Sequence, residues 1–194
     1  MTRPDLADRR GVETVYGAAE DSILLADAAV DDVSPEERVL DVGTGSGYVA
    51  ARVAETGAEV VGTDVNPHAC LKARDEGVEV VRGNLADPFR DGAFDVVLFN
   101  PPYLPTPPEK EWDDWMEHAL SGGDDGRRVI DPFLDTVGRV LAPDGEVLLL
   151  ISTLTGVEEV RDRAGSNGFD ATVVTEDSHP YETLLVVRLT RRDD

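Results

Sequence analysis

The sequence predicts an α/β fold, doubly wound around a mostly parallel seven-stranded sheet that ends in an antiparallel hairpin. Apolar, β-branched runs alternate with helical patterns, as in parallel sheets covered on both faces. The last two strand-like runs are joined by a turn around His179-Pro180 that leaves no room for a crossover helix. A chain of 194 residues is long enough for a full core, so a single domain over residues 1–194 is expected.

The predicted elements follow one another in regular order. Strands are expected at Arg38–Val42, Glu59–Thr63, Val78–Arg82, Phe94–Phe99, Glu146–Ser152, Phe169–Thr175 and Thr183–Thr190. Helices are expected at Ala19–Val30, Gly47–Thr56, Pro67–Glu76, Pro132–Leu141 and Val157–Ala164, and Gly57 and Gly77 end two of them. Asp131-Pro132 predicts a helix N-cap and a first-turn proline. Residues 126–130 either extend that helix or form a separate turn.

The charge balance is extreme, with 40 acidic and 18 basic residues and a net charge of −22. The acids are spread along the chain rather than gathered in a tail, and only Lys72 and Lys110 are lysines. Such an evenly acidic surface resembles that of proteins from salt-loving organisms. Because the screening length in molar salt is only about 3 Å, this charge does not exclude a nucleic-acid substrate.

Cysteine usage and hydropathy indicate a cytoplasmic protein. Cys70 is the single cysteine, so an internal disulfide is impossible and a reducing compartment is the default. No apolar stretch approaches the length of a membrane helix. Cys70 and the scattered histidines, His68, His118 and His179, form no ligand cluster, and no metal site is expected. Lone histidines of this kind are usually packing or surface residues.

A glycine-rich turn follows the first strand. Gly43, Gly45 and Gly47 lie where a missing Cβ lets the backbone approach a ligand closely. The spacing is G-x-G-x-G, and Tyr48 stands where a dinucleotide fingerprint needs its third glycine. With Asp41 at the end of the strand, the pattern resembles the first motif of S-adenosylmethionine-dependent methyltransferases, and this cofactor is expected.

The next two strands also end in residues that suit a nucleoside. Asp64 could accept both hydroxyls of a ribose, and Asn84 with Leu85 follow the third strand where an adenine would lie. Each residue alone has a simpler explanation, such as a helix cap by Asp64 or a turn at Asn84. Because the carboxyl ends of parallel strands line one crevice, the combination favours cofactor binding.

The fourth strand ends in FNPPYLPTPP, residues 99–108. The side-chain oxygen of Asn100 and the carbonyl of Pro101 can each accept one N–H of a planar NH2 group. The prolines fix the backbone, so that both acceptors are aimed before a substrate arrives, and Tyr103 offers a face for stacking. Such positioning supplies roughly 7–11 kcal/mol of a barrier.

Acceptors placed where positive charge grows on nitrogen stabilise it without an ionised base, and the motif holds no histidine or lysine. Catalysis is therefore assigned to Asn100, Pro101 and Tyr103, and substrate binding to Asn100, Pro102 and Tyr103. The simpler alternative is a proline stop followed by an Asn-Pro turn.

Five stretches narrow the class of acceptor: VYGAAEDSILLADA (residues 15–28), TDVNP, LFNPPYLPT, SGGDDGRRVIDPF and ETLLVVRL. Together, from about Val15 to Leu189, they resemble the HemK-like glutamine methyltransferases of the short archaeal and eukaryotic branch. These enzymes methylate the glutamine of the Gly-Gly-Gln motif in class I peptide chain release factors.

That resemblance implies a role for each matching residue. Ser22, Asp41 and Gly43 would contact the methionine end of the cofactor, Asp64 the ribose, Asn84 and Leu85 the adenine, and Asn100 both cofactor and substrate. The chain departs from the family pattern at Ala18, where a proline is usual, and at Asn84, where an aspartate is usual.

The resemblance also implies a heterodimer with a small zinc-binding activator protein, joined at the sheet edge near residues 78–83, VEVVRG. This stretch is apolar enough for an exposed edge, although a loop or helix could cover it instead. Trp112, Trp115 and Met116 form either a substrate lid or a packing stripe.

Two other functions stay open on the sequence. One is N-methylation of an exocyclic base amine in RNA or DNA, at adenine N6 or guanine N2, against which the chain offers no basic stripe. The other is a non-catalytic module that only binds the cofactor.

Overall fold

The computed structural model describes residues 19–107, 109 and 115–192. The strands are β1 (Arg38–Val42), β2 (Glu59–Asp64), β3 (Glu79–Arg82), β4 (Phe94–Phe99), β5 (Leu141–Ser152), β6 (Phe169–Ser178) and β7 (Thr183–Arg191). They form one seven-stranded sheet in the order β3-β2-β1-β4-β5-β7-β6. The first five run parallel, and β7 is antiparallel to both of its neighbours. The predicted fold class and the terminal hairpin are thus confirmed.

The helices are α1 (Glu20–Asp32), α2 (Tyr48–Ala54), α3 (Pro67–Asp75), α4 (Trp115–Leu120), α5 (Ile130–Thr136) and α6 (Val157–Ser166). Short 3-10 turns follow α5 at Val137–Arg139 and β5 at Thr153–Thr155. None of these described helices has the length and apolar character needed to cross a membrane.

The predicted helix Pro132–Leu141 is wrong at both ends. Asp131 is not an N-cap but lies in the first turn, because its N–H already bonds to the carbonyl of Arg127 at 3.0 Å. At the other end, Leu141 pairs with Phe94 and so belongs to β5. The start of β4 holds residues 140–141 beside it, because the Phe94 N–H donates to the carbonyl of Val140.

The strands of the sheet centre are buried on both faces. In β4, Val97 and Phe99 pack against the α5 and α6 side, while Val96 and Leu98 pack against the α1 and α2 side. This alternation follows from the two-residue period of a strand. Each such buried side chain stabilises the fold by about 1.5–3 kcal/mol, which holds the carboxyl ends of β1, β2 and β4 at one rigid edge.

Candidate active site

A cavity of about 530 Å³ opens at the carboxyl edge of the sheet. Its volume falls within the range of about 300–1,000 Å³ that small-molecule sites occupy. The cavity is lined by every predicted site residue except Gly47: Ser22, Asp41, Gly43, Gly45, Asp64, Asn84, Leu85, Asn100, Pro101, Pro102 and Tyr103. The structure therefore brings residues at the ends of the first four strands together with the start of α1.

The glycines of the first turn serve two different purposes. Gly43 and Gly45 line the cavity with φ angles of 62° and 55°, which L side chains rarely adopt. Gly47 has a φ of 84°, and a Cβ built there would stand 3.0 Å from the Cα of Ala73 on α3. Close helix packing therefore requires a glycine at position 47, which is behind the loop rather than in the cavity wall.

Asp41 is a deeply buried acid, with 2% of its surface exposed. Its Oδ2 accepts a hydrogen bond from the Thr44 hydroxyl at 2.6 Å. Burial raises the pKa of the Asp41 carboxyl to about 7, and the hydrogen bond from Thr44 opposes that rise. A cation placed against this carboxyl would be stabilised and would return its pKa towards the ordinary range.

Asp64 joins the glycine turn to the second strand. Its Oδ2 accepts from the Gly45 N–H at 3.0 Å, and its Oδ1 accepts from the Asn66 N–H at 2.8 Å. Burial raises the pKa of this carboxyl as well, against these main-chain hydrogen bonds. The N-cap of α3 is Asn66, whose Oδ1 accepts from the His68 N–H at 2.9 Å. Each carboxylate oxygen of Asp64 still has acceptor capacity for a ligand.

The third strand contributes Asn84 and Leu85 to the cavity. Asn84 donates to the Asp87 carboxylate at 3.3 Å. Leu85 has a φ of 47°, unusual for a residue other than glycine, and its carbonyl accepts from the Thr63 hydroxyl at 2.9 Å. This bond ties the turn after β3 to the end of β2.

Asn100 has an unsatisfied acceptor. Its Nδ2 donates to the Ser22 hydroxyl oxygen at 3.2 Å. Its Oδ1 is buried and has no hydrogen-bond partner among the residues that the structure describes. A buried acceptor without a donor costs about 1–3 kcal/mol. The geometry therefore prepares Asn100 for a donor that comes from outside the chain.

The proline-rich loop after β4 is held by the SGGDDGRR stretch. The Leu104 N–H donates to the carbonyl of Leu120 at 3.0 Å, and the Leu104 carbonyl accepts from the Gly122 N–H at 2.9 Å. A Cβ at Gly126 would stand 2.5 Å from the carbonyl oxygen of Tyr103. Two motifs that are separate in sequence thus form one structural unit.

Sequence reasoning gave no role to several other residues of the cavity wall, among them Asp21, His118, Arg128 and Glu182, whereas Trp115 was considered as part of a substrate lid. These four come from α1, from α4 and the segment after it, and from the turn before β7. Three of them lie within or beside quoted stretches, which was the available signal. His118 was expected to be a packing or surface residue; it is exposed on α4 and also lines the cavity wall.

Some expectations fall outside the described residues, namely Ala18 and Trp112. Met116 lies in α4, beside the cavity residue Trp115. Within the described ranges, no group of three or more histidines, cysteines or acids is arranged to hold a metal ion.

Comparison with known proteins places this site among methyltransferases. A family model described as a methyltransferase domain matches residues 40–101. A Methanocaldococcus jannaschii protein assigned as a protein N5-glutamine methyltransferase is 37% identical over 184 residues, covering 91% of this chain and 92% of that protein. The Homo sapiens methyltransferase HEMK2 is 33% identical over 200 residues, and the match covers 94% of this chain and 92% of HEMK2.

A solved structure gives the same result. The E. cuniculi Mtq2-Trm112 complex, responsible for methylation of the eRF1 translation termination factor, contains a chain that is 30% identical to this one. The two align with a TM-score of 0.77, over 93% of this chain and 100% of that chain.

Proposed function

Because the chain belongs to the protein-glutamine N5-methyltransferase family, we propose that it transfers a methyl group from S-adenosylmethionine to a release-factor glutamine. The acceptor atom is the side-chain amide nitrogen in the Gly-Gly-Gln motif of a class I peptide chain release factor. One observation carries this assignment beyond family membership. The buried Oδ1 of Asn100 has no hydrogen-bond donor among the described residues. Asn100 lines the cavity at the carboxyl edge of the sheet, together with the residues that suit a nucleoside.

The residues of the cavity fit the cofactor. Asp41 suits the ammonium group of the cofactor's methionine part because it is a buried acceptor, and Asp64 suits the ribose hydroxyls because it is a half-buried acceptor in the cavity wall. Ser22, Gly43, Gly45, Asn84 and Leu85 complete the cofactor side, and Gly47 supports the turn from behind. When bound, the cofactor supplies an electrophilic methyl group on a sulfonium.

The chain then acts by holding the glutamine amide. The Oδ1 of Asn100 and the carbonyl of Pro101 accept its two N–H groups, and Pro102 with Tyr103 contact its planar face. These acceptor dipoles stabilise the positive charge that grows on the nitrogen as the N–C bond forms. The amide NH2 becomes an N-methyl amide, and one proton is released.

The family match also supports a partner at the β3 edge. Val65, Leu71 and Val81 expose large apolar side chains there, with 58% of Leu71 accessible. The relative Mtq2 is in complex with Trm112. A small zinc-binding protein is the proposed occupant, forming a heterodimer in the cytoplasm.

Two substitutions on opposite edge strands test this interface. Val81→Glu, on β3, should abolish co-purification with such a partner, whereas Val174→Glu, on β6, should not. Equal retention of the partner by both variants would refute the interface.

The central experiment follows the methyl group. The chain, co-expressed with its partner, is incubated with labelled S-adenosylmethionine and either a release factor, RNA or DNA. We expect label on the release factor alone, at the glutamine of its Gly-Gly-Gln motif by mass spectrometry. Label on RNA or DNA and none on the release factor would overturn the assignment.

Removing the acceptor tests the role of Asn100. Asn100→Ala deletes one oriented dipole at the reacting nitrogen, so kcat should fall by about 10²–10³-fold, by analogy with a lost oxyanion-hole group. Cofactor affinity, measured by calorimetry, should stay largely intact because the other contacts remain. Unchanged transfer by the variant would remove the catalytic role.

A further inference from the structure

We propose that Asp21 is a positioning residue that sets the orientation of the Asn100 amide through the hydroxyl of Ser22. This inference rests on the proposed function, since it concerns which end of the Asn100 side chain faces the glutamine. Asp21 lies outside all of the motif roles assigned above, and it lines the cavity at the start of α1.

The three side chains form a hydrogen-bonded chain. The Asn100 Nδ2 donates to the Ser22 Oγ at 3.2 Å, and the Ser22 hydroxyl donates to the Asp21 Oδ1 at 3.2 Å. The Ser22 N–H donates to the same carboxylate oxygen at 2.6 Å, which fixes the Asp21 side chain against its neighbour. Asp21 is 6% exposed and Ser22 is 9% exposed, so water competes little for these groups.

The donor and acceptor in each of these hydrogen bonds follow from counting protons. A serine hydroxyl has one proton, and a carboxylate is an acceptor only, stronger than a neutral amide oxygen. The Ser22 hydroxyl therefore donates its one hydrogen bond to Asp21, and only the lone pairs of the hydroxyl oxygen face Asn100. The Asn100 side chain must then turn its NH2 towards Ser22 and its Oδ1 away, where that atom is buried without a donor.

Shape alone would not select this orientation, because the two ends of an amide are nearly equal in size. In the reversed orientation an NH2 group would face the glutamine NH2, donor against donor. The reacting nitrogen would lose one of its two acceptors. The carboxylate of Asp21 thus determines whether the site can hold its substrate, although it does not touch the substrate itself.

A simpler reading of Asp21 is that it stabilises the first turn of α1, where acids are favourable. Glu20 shares that turn and is exposed. Glu20→Gln is therefore the matched control, because it removes a first-turn charge without touching the chain from Asp21 to Asn100. If Asp21 acted only through the charge of the first turn, the two variants would change activity alike.

The test is Asp21→Ala, which removes the acceptor and so frees the hydroxyl proton of Ser22 for Asn100. Asp21→Asn would not do so, because the Ser22 N–H would keep the amide oxygen at the Oδ1 position, beside the hydroxyl. We expect kcat for release-factor methylation by Asp21→Ala to fall roughly 10- to 100-fold, the effect of one lost buried hydrogen bond. Cofactor affinity should change little, and Glu20→Gln should keep the parent kcat. The double variant Asp21→Ala/Ser22→Ala should be no slower than Ser22→Ala, because both substitutions act through the same hydrogen bonds.

An NMR measurement reports on the same hydrogen bonds in the absence of substrate. The side-chain NH2 resonances of Asn100, identified by their loss in Asn100→Ala, should shift in Asp21→Ala and not in Glu20→Gln. Unchanged kcat and resonances in Asp21→Ala would overturn the inference, as would additive losses in the double variant or a loss explained wholly by cofactor affinity. If the parent enzyme fails to methylate the release factor, the proposed function falls, while the resonances still decide the orientation of Asn100.

Discussion

At the scale of single residues, Asp41 should make cofactor binding depend on pH. The pKa of its carboxyl is about 7 in the free protein because the group is buried. An ammonium group beside it favours the ionised form, so binding below pH 7 must release a proton. Affinity for S-adenosylmethionine should therefore rise by up to about tenfold per pH unit towards pH 7 and become flat above it.

Calorimetry at several pH values, in buffers of different ionisation enthalpy, measures both the affinity and the released proton. Asp41→Asn is the control, since the pKa of Asp64 is also raised by burial. The variant should bind more weakly and lose most of the slope. A wild-type affinity that is independent of pH between 5 and 8, roughly the span of physiological titrations, would contradict the role given to Asp41.

The residues that could be predicted are those that end a strand. Asn100 and Asp64 stand at such ends, and parallel strands bring their carboxyl ends to one edge whatever the rest of the chain does. Asp21 and Glu182 reach the cavity differently. They come from α1 and from the turn before β7, on either side of the parallel strands in sequence. Both lie in stretches that carry the family resemblance, but only tertiary packing brings them to the cavity, so no local pattern assigns them to it.

At the scale of elements, two glycines with the same backbone conformation allow strain and packing to be separated. Gly47 and Gly77 both have a φ of 84°, but a Cβ at Gly77 would meet nothing within 4 Å. Gly77→Ala should therefore cost only the left-handed conformation, about 1–2 kcal/mol. Gly47→Ala should cost clearly more, because its Cβ would also press on Ala73 of α3 at 3.0 Å.

Urea unfolding of both variants, under one set of salt conditions, gives the two free energies. Because linear extrapolation assumes two-state behaviour, far-UV circular dichroism and tryptophan fluorescence should report the same midpoint. Equal destabilisation by the two substitutions would show that α2 and α3 do not need the glycine at position 47 for close packing.

Strand boundaries were easier to predict than the region between α5 and β5. Apolar runs define β1 and β4, and the predicted bounds agree with the structure. From the end of α5 to the first residue of β5, however, Val137, Val140 and Leu141 are all buried and apolar, so their spacing suits a helix. The bonds from Gly92 and Phe94 to carbonyls of Arg139 and Val140 end it early, and such long-range bonds leave no local signature.

At the scale of the whole molecule, the net charge of −22 should make stability depend on salt. Exposed acids repel over about 10 Å in 0.1 M salt and over about 3 Å in 1 M salt. The free energy of unfolding should therefore rise as potassium chloride increases, as expected of a protein adapted to salt. Urea is the suitable denaturant because it is uncharged, and a stability that stays constant or falls with salt would refute this explanation.

The topology could be predicted because it follows from alternation and from one short turn. Helices between strands require parallel neighbours, and the turn after Ser178, closed by a bond from the His179 N–H to the Glu182 carbonyl, forces the final pair to be antiparallel. The place of β7 inside the sheet, between β5 and β6, does not follow from that turn. That residues 1–194 form a single domain stays a prediction.

The position of β7 has a consequence for biosynthesis. β7 bonds to β5 on one side and to β6 on the other, although it follows both in the chain. While the ribosome still holds residues 183–191, the long strand β5 has an open flank and β6 has nothing to pair with. Until β7 emerges, the nascent polypeptide therefore carries an open, apolar flank on β5 and an unpaired β6 strand, and unpaired strand edges of this kind favour aggregation.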